Sequence, residues 1–230
     1  MVKTIGLIGG MSWESTVTYY QILNRVTAEQ LGGLHCARCI LYSVDFAEIE
    51  SCQSSGDWER SAAILAQAAA ALERAGAQLL VICTNTMHKV ADAVQQAVRV
   101  PLLHIADVTL DELRHSGVER VALLGTRYTM EQDFYKSILE EGGVRVLIPE
   151  EEDRALVNRV IFDELCLGQV YEKSRQQVLQ VIRALADEGT QGVILGCTEL
   201  GMLLRPGEAP IPVFDTTVLH ATRAALAALE

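Results

Sequence analysis

The chain has 230 residues, half of them hydrophobic, with six cysteines and a formal net charge of -11. That length and apolar content suit one large or two small α/β cores, while the acidic balance and the lack of any Lys/Arg block argue against nucleic acid and anionic membrane as partners. No apolar run approaches the ~18 residues of a membrane span, and the opening stretch is broken by glycines before Ser12-Trp13-Glu14, unlike an export signal; a cytoplasmic protein with reduced thiols is expected.

Apolar runs alternate with amphipathic or alanine-rich segments along the whole chain, the pattern of parallel sheets wrapped by helices. A strand over 4–9 leads through Gly9-Gly10-Met11-Ser12 into a helix at 14–30. Next come a strand at 38–44, a helix at 57–75, a strand at 78–83, a helix at 87–97, a strand at 101–105 and a helix at 107–116. The pattern then restarts with a strand at 119–124, a helix at 130–141, a strand at 144–148 and helices at 152–167 and 171–188. Strands at 191–196 and 211–214 and a helix at 217–229 finish the chain.

The restart is a repeat. Thr4-Ile5-Gly6-Leu7-Ile8-Gly9-Gly10 corresponds to Arg120-Val121-Ala122-Leu123-Leu124-Gly125-Thr126, and Tyr19, Ile22 and Leu23 correspond to Tyr135, Ile138 and Leu139. The reading is an α/β fold of two pseudo-symmetric domains, each a short, mostly parallel sheet flanked by helices, with a cleft between them. Because the last helix is expected to return to the first half, the domains are placed at residues 1–101 plus 212–230 and at 102–211.

Two cysteines each end an apolar run and precede a threonine: Leu79-Leu80-Val81-Ile82-Cys83-Thr84 and Val193-Ile194-Leu195-Gly196-Cys197-Thr198. Such runs are buried parallel strands, and open sheets bind ligands at strand C-termini. Two thiols placed equivalently by the repeat point to removal of a proton from one face of a carbon and its return on the other. Backbone N–H groups and helix dipoles at these junctions are expected to lower the thiol pKa from ~8.5 toward neutrality. Thr84, Asn85, Thr86 and Thr198 add donors suited to a carboxylate.

Gly9-Gly10-Met11-Ser12 lacks the spacing and lysine of the nucleotide loops, so its glycines are expected to let the loop approach a small ligand. Cys36-x-x-Cys39 has no second pair, and a structural zinc takes four ligands. His104 is expected near the ligand, whereas His35, His88, His115 and His220 have no metal spacing and are expected at the surface or in capping roles. No metal and no cofactor is implied.

Ile5 to Thr16, Cys83-Thr-Asn-Thr86 and Gly196-Cys-Thr-Glu199 resemble the aspartate/glutamate racemase family, over nearly the whole chain. The segments at 88–92, 104–107 and 124–135 are most similar to the broad-specificity amino acid racemases of enteric bacteria. The resemblance implies a PLP-independent, metal-free amino acid racemase, usually a homodimer, acting on a small-molecule substrate. It makes Cys83 and Cys197 the proton-transfer pair and places Met11, Gln53, Thr84, Asn85, Thr86, Thr198 and Glu199 around the substrate. Arg60 looks like one member of the basic pair that reads an acidic side chain. The other member is replaced near Leu165 to Gln169, so neutral amino acids are expected as substrates beside Asp and Glu.

Two other readings use the same residues. Maleate isomerases and decarboxylases of this scaffold also carry strand-end cysteines, one of them acting as a covalent nucleophile in the isomerases. A non-catalytic amino-acid-binding sensor would keep the ligand site and need no reactive thiol.

Overall fold

A computed structural model describes residues 2–205 and 207–230. Buried apolar strands alternate with helices, and every neighbouring strand pair is parallel, so each connection crosses over. The chain begins with β1 (Ile5–Gly9), α1 (Trp13–Leu31), β2 (Cys39–Ser43), α2 (Phe46–Ser55), α3 (Trp58–Arg74) and β3 (Leu79–Ile82). A 3-10 turn (Thr86–Val90), α4 (Ala91–Gln96), β4 (Leu102–Leu103) and α5 (Ile105–His115) follow. The second series is β5 (Arg120–Gly125), α6 (Arg127–Glu131), α7 (Asp133–Glu141), β6 (Arg145–Leu147), α8 (Glu151–Asp163), a 3-10 turn (Leu165–Leu167) and α9 (Glu172–Asp187). It closes with β7 (Gly192–Gly196), α10 (Leu200–Leu203), β8 (Val213–Asp215) and α11 (Thr216–Leu229).

The strands form two four-stranded sheets with the same order, β2-β1-β3-β4 and β6-β5-β7-β8. The chain divides into two units accordingly, residues 1–105 with 220–230 and residues 106–219. These bounds correct the sequence-based division, which cut each sheet one strand short. Leu102 and Leu103 pair with β3, so β4 belongs to the first sheet, and Val213 to Asp215 pair with β7, so β8 belongs to the second.

Alternation along the strands sorts the first unit's core into two faces. Ile8, Leu80 and Ile82 pack with Leu65, Ala68 and Leu72 of α3 and with Met87. Ile5, Leu7, Leu79 and Val81 pack with Tyr19, Ile22 and Leu23 of α1 and with the alanines Ala221, Ala224, Ala225 and Ala228 of α11. In the second unit Ala122, Leu124, Val193 and Leu195 lie against Val157, Val160 and Ile161 of α8 and Val178, Val181 and Ile182 of α9.

α2 was not anticipated. Its sequence, rich in serine, carries only a narrow apolar stripe, yet Asp45 caps it by accepting from the Ala47 N–H, and Ile49, Cys52 and Gln53 bury one side. The single helix expected over 130–141 is two, because Gln132 is extended and ends α6 at Glu131.

Candidate active site

In both sheets the winding reverses between the two central strands, β1 and β3 or β5 and β7, and open α/β sheets bind ligands beyond the strand ends at such a reversal. The residues just past those strands are therefore the ones to compare. Gln78 and Gln191 each donate a backbone N–H at the start of the central strand, to Thr4 just before β1 and to Arg120 of β5, and Leu80 and Val193 each donate to a proline carbonyl, Pro101 and Pro212, all at 2.8 Å. The ladder pairs Ile8 with Ile82, and Leu124 with Leu195 followed by Gly125 with Gly196.

This register makes Cys83 the counterpart of Gly196 and Thr84 the counterpart of Cys197, which overturns the expectation that the repeat places the two thiols equivalently. A one-residue slip moves a side chain to the other face of a sheet. Cys83 packs with Leu79, Val81, Tyr19 and Leu23 under α1 and α11. Cys197 packs with Val193, Leu195 and Leu200, on the side that corresponds to the α3 face of the first unit.

Cys83 is completely buried. Burial pushes its thiol pKa up, and the Cys39 thiol adds to the rise. The expected lowering fails for a physical reason: the helical element after Cys83 is a five-residue 3-10 turn, with little dipole to offset desolvation. Thr84 is half-buried, and Asn85 and Thr86 are buried in the same turn. The Thr84 carbonyl accepts a hydrogen bond from His88 Nδ1 at 2.8 Å, and the Asn85 carbonyl accepts from the His88 N–H at 3.0 Å.

Around Cys197 the surroundings are polar. Its thiol donates to Glu199 Oε2 at 2.9 Å, and the Thr198 hydroxyl donates to the same oxygen at 2.6 Å. Burial, then the Glu199 charge and the Cys166 thiol raise the Cys197 pKa well above the usual thiol range. Gly125 and Gly196 meet just before this turn, and a Cβ on Gly125 would come 2.8 Å from the Gly196 carbonyl oxygen.

The first loop is packed from within. A Cβ on Gly10 would meet the Val44 carbonyl oxygen at 2.3 Å and one on Gly9 would meet Thr16 at 2.6 Å. The glycines thus serve contacts inside the chain, where sequence reasoning assigned them to ligand approach. Met11 is buried among Ile8, Ile82 and Met87, and Gln53, also buried, donates to Met87 Sδ at 3.1 Å, so both sit beneath the turn after Cys83. Arg60 lies on the exposed start of α3 with its guanidinium 2.8 Å from Glu48.

Sequence reasoning also misplaced two histidines. His88 and His220 are buried, their rings 5.6 Å apart, and His104 lies 4.7 Å from His88. The signal was available: His88 is five residues past Cys83, and His220 occupies the repeat position of Thr109. Among the described residues no three His, Cys, Asp or Glu side chains gather as metal ligands, and no helix is long and apolar enough to cross a membrane.

Comparison with known proteins places these features in context. Residues 8–224 match the family model of Asp/Glu/hydantoin racemases. The chain is 28% identical to the broad specificity amino-acid racemase RacX of Bacillus subtilis over 150 residues, 64% of this chain and 63% of that protein, so the match spans less than two thirds of the relative. A presumed Asp/Glu racemase from Yersinia pestis is 53% identical, with TM-score 0.92 over 99% of this chain and 100% of the other. An aspartate racemase homologue from Pyrococcus horikoshii is 39% identical, with TM-score 0.86 over 99% and 100%.

Proposed function

The chain belongs to the Asp/Glu/hydantoin racemase family, and from that premise we propose that it is a cofactor-independent amino acid racemase whose proton-transfer groups are Cys83 and Cys197. The observation that carries this reading is that a buried thiol stands immediately past the strand next to the winding reversal in each sheet, Cys83 after β3 and Cys197 after β7.

On this reading the amino acid brings its ammonium group beside Cys197, and Glu199, already the acceptor of the thiol's hydrogen bond, takes the thiol proton. The thiolate then removes the Cα proton, forming an S–H bond and leaving the electron pair on carbon. Cys83 returns a proton from its thiol to the opposite face, and the roles of the two cysteines reverse for the other enantiomer. Backbone N–H groups of the two turns, with Asn85, hold the carboxylate as charge develops on it.

Substrate breadth is proposed to include neutral amino acids, since Arg60 is already paired with Glu48; Arg60→Ala should cost acidic and neutral substrates alike. We further propose a cytoplasmic homodimer, the form implied by the family resemblance.

The test is proton NMR of single amino-acid enantiomers in deuterium oxide with the wild type and the Cys197→Ala, Thr84→Ala and Cys83→Ala variants. Loss of racemisation in Cys197→Ala and in Cys83→Ala, with inversion retained in Thr84→Ala at saturating substrate, supports the reading. Full activity in Cys83→Ala with loss in Thr84→Ala would move the second proton transfer to the neighbouring threonine. No exchange in the wild type with any amino acid it binds leaves an amino-acid-binding sensor.

A further inference from the structure

We propose that the outer face of α1, together with the edge strand β2, is the surface on which a second copy of this chain docks. This gives a face to the homodimer proposed above and rests on that reading for its partner.

Helix α1 is apolar on two sides. Tyr19, Ile22, Leu23 and Val26 bury one side in the core of the first unit. Trp13, Val17 and Tyr20, spaced by four and three residues, share a second side and are 66%, 43% and 56% exposed. A helix that is apolar on every side it presents needs cover on each of them. Leu41 of β2, itself 50% exposed, continues the stripe. A Cβ on Gly9 would meet Thr16 at 2.6 Å and the Leu41 side chain at 2.9 Å, so Leu41 lies against the first turns of α1.

The second unit shows the same place when water covers it. At the offset that matches Tyr19 with Tyr135, Val17 corresponds to Asp133 and Tyr20 to Lys136. Those two form an ion pair of 3.7 Å with Asp133 standing out in solvent, and Arg127, Glu131 and Arg154 add further pairs beside it. The edge strand β6 opens on an exposed Arg145, the kind of charge that keeps a sheet edge from pairing. The edge strand β2, Cys39-Ile40-Leu41-Tyr42-Ser43, carries no charge.

Charge selects the partner. The chain carries a net charge of -11, yet from Trp13 to Asn24 and from Cys39 to Ser43 the only charged side chain is Glu14, which is half-buried. A basic partner would be drawn to the acidic surface elsewhere on the chain. A second copy, equally acidic, is repelled by that surface and meets no repulsion where a two-fold axis sets this neutral face against itself. Trp13, Val17, Tyr20 and Leu41 present on the order of 400 Å² per copy, given the 150–250 Å² that a large aromatic side chain buries. That is roughly half of the 800 Å² that a stable interface takes from each partner, and Thr18, Gln21, Asn24 and Ser43 around it supply a polar rim.

The double substitution Val17→Asp with Tyr20→Lys imports the ion pair of the second unit into α1. Sedimentation equilibrium should return twice the 25.2 kDa chain mass for the wild type. For the double variant it should return a dimer Kd raised at least about 30-fold, the scale of one lost aromatic anchor, with far-UV circular dichroism unchanged. Should that variant lose helical signal, Tyr20→Ala alone carries the test, with a Kd raised about tenfold. Leu167→Asp with Tyr171→Lys, on an exposed apolar patch of the second unit, should leave the Kd unchanged.

A folded α1 variant that dimerises as tightly as the wild type overturns this face and leaves the homodimer standing, as does dissociation of the Leu167→Asp, Tyr171→Lys variant in its place. A monomeric wild type overturns both. Absence of Cα exchange in a wild type that dimerises through α1 removes the racemase reading and leaves the interface.

Discussion

In the first unit the central strand runs straight into Cys83, whose thiol turns into the packing beneath α1 and α11. In the second unit the matching position is Gly196, and the thiol arrives one residue later beside a carboxylate. The same contrast appears deeper in the fold. Tyr19 meets His220 at 2.9 Å in one unit, and its counterpart Tyr135 donates to Thr109 at 2.9 Å in the other. Thr109 and His220 each stand seven residues past the first residue of β4 and of β8, Leu102 and Val213, on the helices α5 and α11. Duplication thus preserved sheet order, ladder and buried tyrosine while the chemistry at each strand end diverged.

The comparison can be broken most sharply at the two cysteines. Cys197→Ala is expected to lower Cα exchange by about 10³-fold, the scale of losing a positioned acid or base. Cys83→Ala should lower racemisation on the same scale, since it removes the acid on the other face. A rate within about fivefold of wild type in Cys83→Ala would show that its burial under α1 and α11 keeps the thiol from the reaction.

Thr84 comes next. As a donor to the substrate carboxylate, its loss in Thr84→Ala should raise KM by about tenfold, the scale of one hydrogen bond to a charged group, with inversion retained at saturation. An unchanged KM in Thr84→Ala would show that this position does not meet the substrate.

The buried tyrosine pairs predict a difference in acid. Burial lowers the His220 pKa from 6.5 to about 4, so between those values the unfolded chain binds more protons than the folded one. Stability that is complete above pH 6.5 is therefore lost as pH falls toward 4, by on the order of 3 kcal/mol from this group. His220→Thr imports the second unit's arrangement and should flatten part of the fall in urea stability between pH 7 and 5, with His88 accounting for the remainder. A variant whose urea midpoint declines as steeply as wild type would remove His220 from the explanation.

The smallest effect concerns Glu199. Its charge is the second cause, after burial, of the raised Cys197 pKa. Glu199→Gln should shift the midpoint of iodoacetamide modification at Cys197 to lower pH, while Cys83, which lies in the other unit, should be unaffected. A midpoint that stays in place would separate Glu199 from the Cys197 thiol.

Much of this architecture was legible without coordinates. Val81-Ile82 and Val193-Ile194-Leu195 read as buried parallel strands because a parallel sheet is covered on both sides, and its strands are apolar at every position. The match of Tyr19 with Tyr135 marked the duplication, and Cys197-Thr198-Glu199 was marked as a site before any contact was known. α2 escaped because burial of Ile49, Cys52 and Gln53 against neighbours, with Asp45 as its cap, stabilises a segment whose own periodicity is faint.

Sequence alone determined the fold class, the duplication and the place of the two cysteine-threonine turns at strand ends, since these come from period and composition, which are local. Only the tertiary structure decided which side chains the turns present. The register of β3 against β1 and of β7 against β5 is set by hydrogen bonds between residues far apart in the chain, and one residue of difference sends Cys83 into the core and leaves Thr84 in the place of Cys197. The same holds for the thiol pKa values and for His88 and His220: their protonation is set by burial and by partners such as Thr84, Ile105 and Leu103, which only the folded chain supplies.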